Sequence, residues 1–167
     1  MGETRPDTAP TGPSIITGWD DRTGTYRAAV SPMGHQRPSP HGPPDVRVLV
    51  VDDDDDTREV MVRLLQTFGV DARAARDGEE ALQLVPEVQP ALILCDLQMP
   101  RLDGVGFVKR LRRLPPFHET FTVAITGLCG ALVVAATREA GFDGHLEKPM
   151  SAEMLARVLH RAGWRVH

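Results

Sequence analysis

The chain has 167 residues, a net charge of −4 at pH 7 and 41% hydrophobic residues, a size that suits one domain with a full core and is short for two. This acidic balance argues against a nucleic-acid-binding surface, which normally shows a basic stripe. No apolar run approaches the roughly 18 residues of a membrane span, and the N-terminus lacks the apolar segment of a secretory signal. We therefore expect a cytoplasmic protein without direct nucleic-acid binding or membrane insertion.

Residues 1–45 differ in composition from the rest of the chain. Proline and glycine recur there, apolar residues are sparse, and no helical or strand period persists. Such a segment cannot bury enough apolar surface to offset the entropy lost on ordering. The sequence therefore predicts a disordered leader over residues 1–45, one folded domain over residues 46–163 and a short tail over residues 164–167.

From residue 46 onward, short apolar strands alternate with amphipathic helices. A helix follows each strand, and Pro86 is expected to kink or end the second helix. Five strands and five helices in alternation predict an α/β fold, a doubly wound parallel sheet with helices on both faces. Cys95 and Cys129 lack metal-type spacing and are predicted to be buried, reduced thiols. The predicted strands are about Arg47–Val51, Val70–Ala74, Ala91–Cys95, Phe121–Ile125 and His145–Leu146.

Five consecutive carboxylates, Asp52 to Asp56, follow the first strand. Like charges this close repel one another, so the run is costly unless a cation or a helix N-terminus compensates it. One interpretation is a solvated acidic loop that caps the next helix, and the other is a cation site at the edge of the sheet. We expect both. Asp52 and Asp53 would bind the cation, Asp54 would be a loop residue, and Asp55 or Asp56 would cap the helix, with Glu59 completing a capping box.

Polar side chains also follow the third, fourth and fifth strands. Asp96, Thr126 and Lys148 stand at these positions, and ligands bind outside the carboxyl ends of strands in open α/β sheets. Carboxylates without a nearby His or Cys suit a hard ion such as Mg²⁺. A carboxylate is also a nucleophile toward phosphorus, and phosphoryl transfer needs alignment and positive charge near the phosphoryl oxygens. Asp96 is the best nucleophile, because it stands alone after the central strand.

Four segments closely resemble the receiver domain of bacterial two-component response regulators, in the manner of the single-domain chemotaxis regulators. Thr126 lies 30 residues and Lys148 lies 52 residues after Asp96, a spacing that also fits this family. The resemblance covers about residues 46–162 and implies a flavodoxin-like sheet with strand order 2-1-3-4-5. The matching segments are VLVVDD at residues 48–53, CDLQMPRLDG at 95–104, AITG at 124–127 and GFDGHLEKP at 141–149.

The resemblance implies a specific acceptor and a specific metal site. Asp96 is the implied phospho-acceptor, charged by the phosphohistidine of a sensor histidine kinase or a histidine phosphotransfer protein. Asp53, Asp96 and the backbone carbonyl of Gln98 are implied to contact Mg²⁺ directly, and Asp52 to act largely through water. The protein is therefore not expected to be an enzyme, although it is a candidate for autodephosphorylation, which the residues at positions 98 and 128 tune in this family.

The resemblance also implies a switch. Thr126 and Lys148 would contact the phosphoryl group, and Thr126 and the His145 ring would move together when Asp96 is phosphorylated. Lys148–Pro149 is expected to be a cis peptide. The surface formed by the fourth helix, fifth strand and fifth helix would then bind a downstream protein or a second copy of the chain, unless the phosphoryl group is passed on in a relay.

Two features depart from the family pattern. His145 occupies a position where Tyr or Phe is more usual. Residues 128–136 include no charged residue, and the first charge after them is Arg138. The sequence leaves two interpretations open for this apolar segment: deeper burial with Leu132 and Val133 packed inward, or an exposed apolar patch on the partner surface.

Two other functions remain open at this stage. A haloacid-dehalogenase-like phosphatase also uses Asp, Thr, Lys and Mg²⁺, but it needs a further acidic pair after the lysine, and here Glu153 alone follows Lys148. A receiver-like binding module that is never phosphorylated is the second alternative, which the complete set of acceptor residues disfavours. Because Gly163 to His167 are the only residues after the last predicted helix, we expect a single-domain regulator.

Overall fold

The computed structural model describes residues 47–128 and 130–164, together with the backbone of Trp19–Asp20 and Thr25–Tyr26, which pair as two short antiparallel strands. The remainder of the predicted leader, Cys129 and residues 165–167 lie outside the described residues. The disorder of the leader and the buried thiol at Cys129 therefore stay predictions.

Between residues 47 and 164, the described part of the chain forms one parallel five-stranded sheet with five α-helices, and the strands, numbered in chain order, stand in the order 2-1-3-4-5. This result confirms the predicted fold class and strand order. A short 3₁₀ helix, Phe117–Glu119, precedes β4. The strands are β1 Arg47–Val51, β2 Asp71–Ala75, β3 Leu92–Cys95, β4 Phe121–Thr126 and β5 Gly144–Glu147. The helices are α1 Asp55–Thr67, α2 Gly78–Val88, α3 Gly104–Leu111, α4 Ala131–Ala140 and α5 Ala152–Arg161. None of these helices is long and apolar enough to cross a membrane.

Alternate residues of β1 pack into two separate cores, one on each face of the sheet. Val48 and Val50 pack with α1 and α5, whereas Leu49 and Val51 pack with α2, α3 and α4. Each of these four side chains is at most 2% exposed, which contributes roughly 2 kcal/mol per side chain to folding. Because both faces of β1 are covered, its polar continuation from Asp52 onward must leave the core at the carboxyl edge of the sheet. Trp164, assigned to the tail from the sequence, is also buried in the α1–α5 core.

Helix α1 begins earlier than the sequence predicts. Asp54 is its N-cap, and the Asp54 carboxylate accepts a hydrogen bond from the Thr57 backbone N–H at 2.7 Å. Hydrogen bonds from Thr57 also lower the pKa of Asp54. The predictions that Asp55 or Asp56 caps the helix and that Asp54 is a loop residue are therefore wrong. In a run of identical side chains the cap is the residue whose backbone is still extended, and that position depends on where β1 ends.

Two further local predictions have clear outcomes. Pro86 was predicted to kink or end α2, and the helix continues past it to Val88, so an end at Pro86 is wrong; the proline removes one backbone donor from the helix. Cys95 is buried and reduced, as predicted, and burial together with the neighbouring Asp96 charge raises the pKa of its thiol well above the ordinary range.

The amino end of β4 is joined to α3 by Arg112. Its guanidinium donates hydrogen bonds to the carbonyls of His118 and Thr120 at 2.9 and 2.8 Å, and to the Gly141 carbonyl at 2.7 and 3.0 Å. It also pairs with the Asp143 carboxylate at 2.8 Å. One side chain therefore connects the end of α3, the approach to β4 and the turn between α4 and β5.

We predict that Arg112→Met lowers the free energy of unfolding by about 2 kcal/mol, because several partly buried carbonyls and one carboxylate lose their donor. Urea denaturation measures this change. Arg113→Met, an exposed neighbour, is the matched control and should change stability by less than about 0.5 kcal/mol. Equal effects of the two substitutions would contradict the role assigned to Arg112.

Candidate functional site

The register of the parallel strands brings together residues that are far apart in the sequence. Val51 of β1 lies beside Cys95 of β3, so Asp52 and Asp96 follow two paired residues at the carboxyl edge of the sheet. The Asp96 backbone N–H donates to the Val51 carbonyl at 2.8 Å. Thr126 ends β4, and Lys148 follows β5 directly. The same edge therefore holds two carboxylates, a hydroxyl and an ammonium group.

Lys148 bridges the two buried carboxylates. Its Nζ atom lies 2.8 Å from Asp52 Oδ2 and 2.8 Å from Asp96 Oδ2. The side chains of Asp52 and Asp96 are only 6% and 11% exposed, so both carboxylates need a cationic partner. Burial alone lowers the pKa of Lys148, but the hydrogen bonds and charges of Asp52 and Asp96 outweigh it, and the pKa is raised. Lys148 therefore stays fully charged at neutral pH.

Three carboxylates at this edge form a set suited to a hard divalent cation. One oxygen from each of Asp52, Asp53 and Asp96 lies within 4.8 Å of the others. Asp53 is exposed, whereas Asp52 and Asp96 are buried. Oxygen ligands with one side open to solvent match Mg²⁺, which keeps several waters when it binds to a protein. The residue types and their spacing therefore fit the predicted metal site.

Backbone and side-chain contacts hold these carboxylates in place. Asp52 Oδ1 accepts a hydrogen bond from the Asp54 N–H at 2.9 Å, and Asp96 Oδ1 accepts one from the Gln98 N–H at 3.2 Å. The Arg58 guanidinium donates to the Asp52 carbonyl at 2.7 Å and pairs with the Asp55 carboxylate. Arg58, in the first turn of α1, therefore places positive charge beside the acidic run. Arg58 was not predicted from the sequence, although its position three residues after Asp55 is an ion-pair spacing in helices.

The predicted switch residues lie beside this pocket. The Thr126 side chain is fully buried, and its Oγ1 accepts a hydrogen bond from the Leu128 N–H at 3.1 Å. His145 is buried on the neighbouring strand β5, where it pairs with Ala124, two register positions from the Thr126–Glu147 pair. Burial lowers the pKa of His145, against a smaller opposing effect of Glu147. The Lys148–Pro149 peptide is cis, as the resemblance implied.

The loop between β3 and α3 passes unusually close to Asp96. The Gly104 N–H donates to the Leu97 carbonyl at 3.1 Å, and a Cβ atom added at Gly104 would lie 2.2 Å from the Asp96 carbonyl oxygen. No residue with a side chain fits at this position without a backbone shift. Asp103 caps α3 by accepting a hydrogen bond from the Gly106 N–H at 2.7 Å. The loop that leaves Asp96 is therefore closed within eight residues and fixed at both ends.

The apolar segment that follows β4 is partly buried and partly exposed. Leu132 is 87% exposed and Leu128 is 39% exposed. Val133, in contrast, packs against the core formed by α2, α3 and α4. Deeper burial is therefore correct for Val133 and wrong for Leu132, which is exposed in the first turn of α4, and Leu128 is exposed in the loop before it.

Comparison with known proteins agrees with this fold. A family model described as the response regulator receiver domain matches residues 48–160. The chemotaxis protein CheY4 of Vibrio cholerae has a crystal structure that aligns with a TM-score of 0.67 and 30% identity, covering 70% of this chain and 98% of that one. The Francisella response regulator 1452 receiver domain aligns with a TM-score of 0.65 and 29% identity over 71% of this chain and 96% of that one.

Curated relatives give the same result. An uncharacterised 14.6 kDa protein of Leptolyngbya boryana is 32% identical over 114 residues, 68% of this chain and 87% of that protein. The response regulator MprA of Mycolicibacterium vanbaalenii is 37% identical over 114 residues, again 68% of this chain. The chain spans only 48% of the length of that MprA, about half.

The fold defines a doubly wound, flavodoxin-like domain with an acidic pocket at its carboxyl edge. The chain belongs to the response regulator receiver domain family, as the match over residues 48–160 shows. Receiver domains are phosphoryl-accepting signalling switches of two-component systems rather than enzymes of the usual kind, and they bind Mg²⁺ at an acidic pocket.

We predict that His145→Phe removes an acid-sensitive part of the stability. Because burial lowers the pKa of folded His145 below the ordinary value of 6.5, the unfolded chain binds more protons near that pH. The free energy of unfolding of the wild type therefore falls as the pH drops through this value. Urea denaturation from about pH 8 to about pH 5 measures the slope, since histidine titrates in this range. His118→Gln, at an exposed site, should keep the wild-type slope, and a parallel slope for His145→Phe would refute the prediction.

Proposed function

We propose that this chain accepts a phosphoryl group on Asp96 and acts as a phosphorylation-dependent signalling switch. One observation supports this most directly: Asp96 Oδ2 lies 2.8 Å from the Lys148 ammonium. The carboxylates of Asp52 and Asp53 lie beside it, at a spacing that suits a divalent cation. A nucleophile, a fixed cation and a metal-binding pair in one pocket are the parts that phosphoryl transfer to a carboxylate requires.

The reaction that this geometry supports is a simple displacement. One Asp96 carboxylate oxygen forms a bond to phosphorus, while the bond from phosphorus to the donor imidazole nitrogen breaks and the nitrogen keeps the electron pair. The donor would be the phosphohistidine of a sensor kinase or a histidine phosphotransfer protein. Asp53, Asp96 and the Gln98 carbonyl are the proposed direct ligands of Mg²⁺, with Asp52 acting largely through water, and the bound ion would supply positive charge to the phosphoryl oxygens.

The chain's own residues then respond to the added charge. Phosphorylation adds close to two negative charges, and Lys148 already points at the Asp96 carboxylate. Its ammonium can follow the new charge from Asp96 Oδ2 to a phosphoryl oxygen. Thr126 accepts a hydrogen bond from Leu128, so its hydroxyl proton remains able to donate to the phosphoryl group. A shift of Thr126 alters the start of α4 and opens space next to His145 on β5.

This movement places the output on the surface of α4, β5 and α5. Leu132 and Leu128 are exposed there, and a downstream protein or a second copy of the chain is the proposed partner; a relay step that passes the phosphoryl group on is the other proposed outcome. Autodephosphorylation and a cytoplasmic location belong to the same proposal. The phosphatase alternative has no support, because Glu153 after Lys148 is exposed and pairs with Arg157 within α5.

Incubation with acetyl phosphate and Mg²⁺, followed by intact mass measurement, tests the proposal. Wild type should gain the mass of one phosphoryl group, and Asp96→Asn should gain none because the amide is a poor nucleophile. Asp103→Asn, on the same loop, should behave like wild type, since asparagine also caps a helix.

Two outcomes would count against the proposal in different ways. If wild type gains no mass and also fails to bind beryllofluoride, the chain is not a phospho-acceptor under these conditions, and the unphosphorylated binding module becomes the better account. If Asp96→Asn gains the phosphoryl mass, the function stands but its assignment to Asp96 is wrong.

A further inference from the structure

Asp77 is a fully buried carboxylate outside the acidic pocket. Its side chain is 0% exposed, at the N-cap of α2. Oδ1 accepts a hydrogen bond from the Glu80 N–H at 2.9 Å, which completes the cap. Oδ2 forms an ion pair with the guanidinium of Arg101 and makes no hydrogen bond among the described residues. Because an unpaired buried carboxylate is strongly destabilising, Asp77 depends on Arg101 for the compensation of its charge.

Arg101 reaches Asp77 from the loop between β3 and α3, in a backbone conformation that disfavours arginine. Its φ angle is 66°, in the left-handed region, which is unfavourable for a residue with a Cβ atom and is normally occupied by glycine. The side chain is 52% exposed, so its burial does not offset this cost. The ion pair to Asp77 is the contact that offsets it.

A second contact joins the same two segments at the adjacent residues. The Gly78 N–H donates to the Leu102 carbonyl at 3.1 Å, and a Cβ atom at Gly78 would lie 2.7 Å from that oxygen. The start of α2 therefore lies directly against the β3–α3 loop. Asp77 and Gly78 therefore hold two neighbouring residues of the loop. Asp77 pairs with Arg101 by charge, and Gly78 bonds to Leu102 by a backbone hydrogen bond.

This loop is the one that shapes the acidic pocket. It begins at Asp96, contains Gln98, whose N–H donates to Asp96 Oδ1 at 3.2 Å, and closes with the Gly104 N–H to Leu97 carbonyl bond. Arg101 lies inside the closed segment. A change in the path of the loop at Arg101 therefore shifts Gln98 relative to the Asp96 carboxylate.

We propose that Arg101 is a positioning residue for the acidic pocket. Through its ion pair with Asp77, it holds the β3–α3 loop in the conformation that presents Asp96 and Gln98 to a divalent cation. Arg101 does not itself contact the cation or the phosphoryl group. The inference rests on the proposed function, because it takes the Asp96 pocket as the metal site.

Arg101→Gly is the most informative test, because a turn-forming role predicts no change in metal binding and a positioning role predicts a loss. Glycine relieves the left-handed backbone, so a residue that only forms a turn should leave loop order and metal binding unchanged. A positioning residue should instead weaken Mg²⁺ binding, measured by calorimetry, by about tenfold, as when an outer partner of a metal ligand is removed. In metal-free protein, amide hydrogen exchange over residues 97–105 should be about tenfold faster.

Matched variants separate this role from general destabilisation. Arg101→Lys keeps a cation and should recover at least part of the metal affinity. Asp77→Asn keeps the helix cap and should reproduce the effect of Arg101→Gly, with little added effect in the double variant. Arg110→Gln removes an exposed ion pair between α3 and Glu79 of α2, and it should leave both measurements unchanged.

The outcomes distinguish this inference from the proposed function. If Arg101→Gly keeps wild-type Mg²⁺ affinity and wild-type hydrogen exchange, the positioning role is overturned while the acceptor function stands. If wild type itself binds no Mg²⁺, the proposed metal site fails, and faster exchange over residues 97–105 in Arg101→Gly would then support loop positioning alone. Loss of metal affinity in Arg110→Gln equal to that in Arg101→Gly would also overturn the assignment.

Discussion

The attraction between Lys148 and the carboxylates of Asp52 and Asp96 is the interaction on which this site depends. A parallel sheet directs the ends of its strands to one edge, and here that edge collects several acidic residues. Two of them are buried, so without a cation their repulsion and desolvation would oppose the fold. Lys148 lies 2.8 Å from both, although it is 96 and 52 residues away in the sequence. The charge that permits this edge to form is also the charge that a phosphoryl group would meet.

The rest of the domain holds this edge in register. Two cores cover the faces of β1, Arg112 fixes the amino end of β4, and Asp54 with Arg58 orders the acidic run at the start of α1. The β3–α3 loop is held against α2 through Asp77 and Gly78. Contacts from several elements therefore hold the pocket, whereas Leu132 at the start of α4 is exposed. A switch needs both: a fixed site for the charge and a segment that responds to it.

The sequence predicted the parts of this structure that depend on local pattern. Apolar strands and the polar residues at strand ends follow from periodicity and chain order, and the motif spacing predicted that Asp52, Asp53, Asp96 and Lys148 meet. It failed where neighbouring residues look alike or where a contact spans the fold. Five identical aspartates conceal which one caps α1. Arg58 and Arg101 are ordinary charged residues in the sequence, and their roles appear only once the backbone paths around them are fixed. The exposure of Leu132 depended on the orientation of α4, which an apolar segment does not specify.

The most direct test of this account is the free energy of unfolding of Lys148→Met, compared with wild type by urea denaturation with and without saturating Mg²⁺. Without Mg²⁺, the variant should be less stable by about 2 kcal/mol, because two buried carboxylates lose their cation. The loss is smaller than for a fully buried ion pair, since Lys148 is partly exposed and solvent screens its charge. With Mg²⁺, the difference in stability between the two proteins should narrow. A cation that binds only the folded state stabilises it, and in the variant Mg²⁺ does not compete with the Lys148 ammonium for the carboxylates. Equal stability of the two proteins without Mg²⁺ would contradict the account.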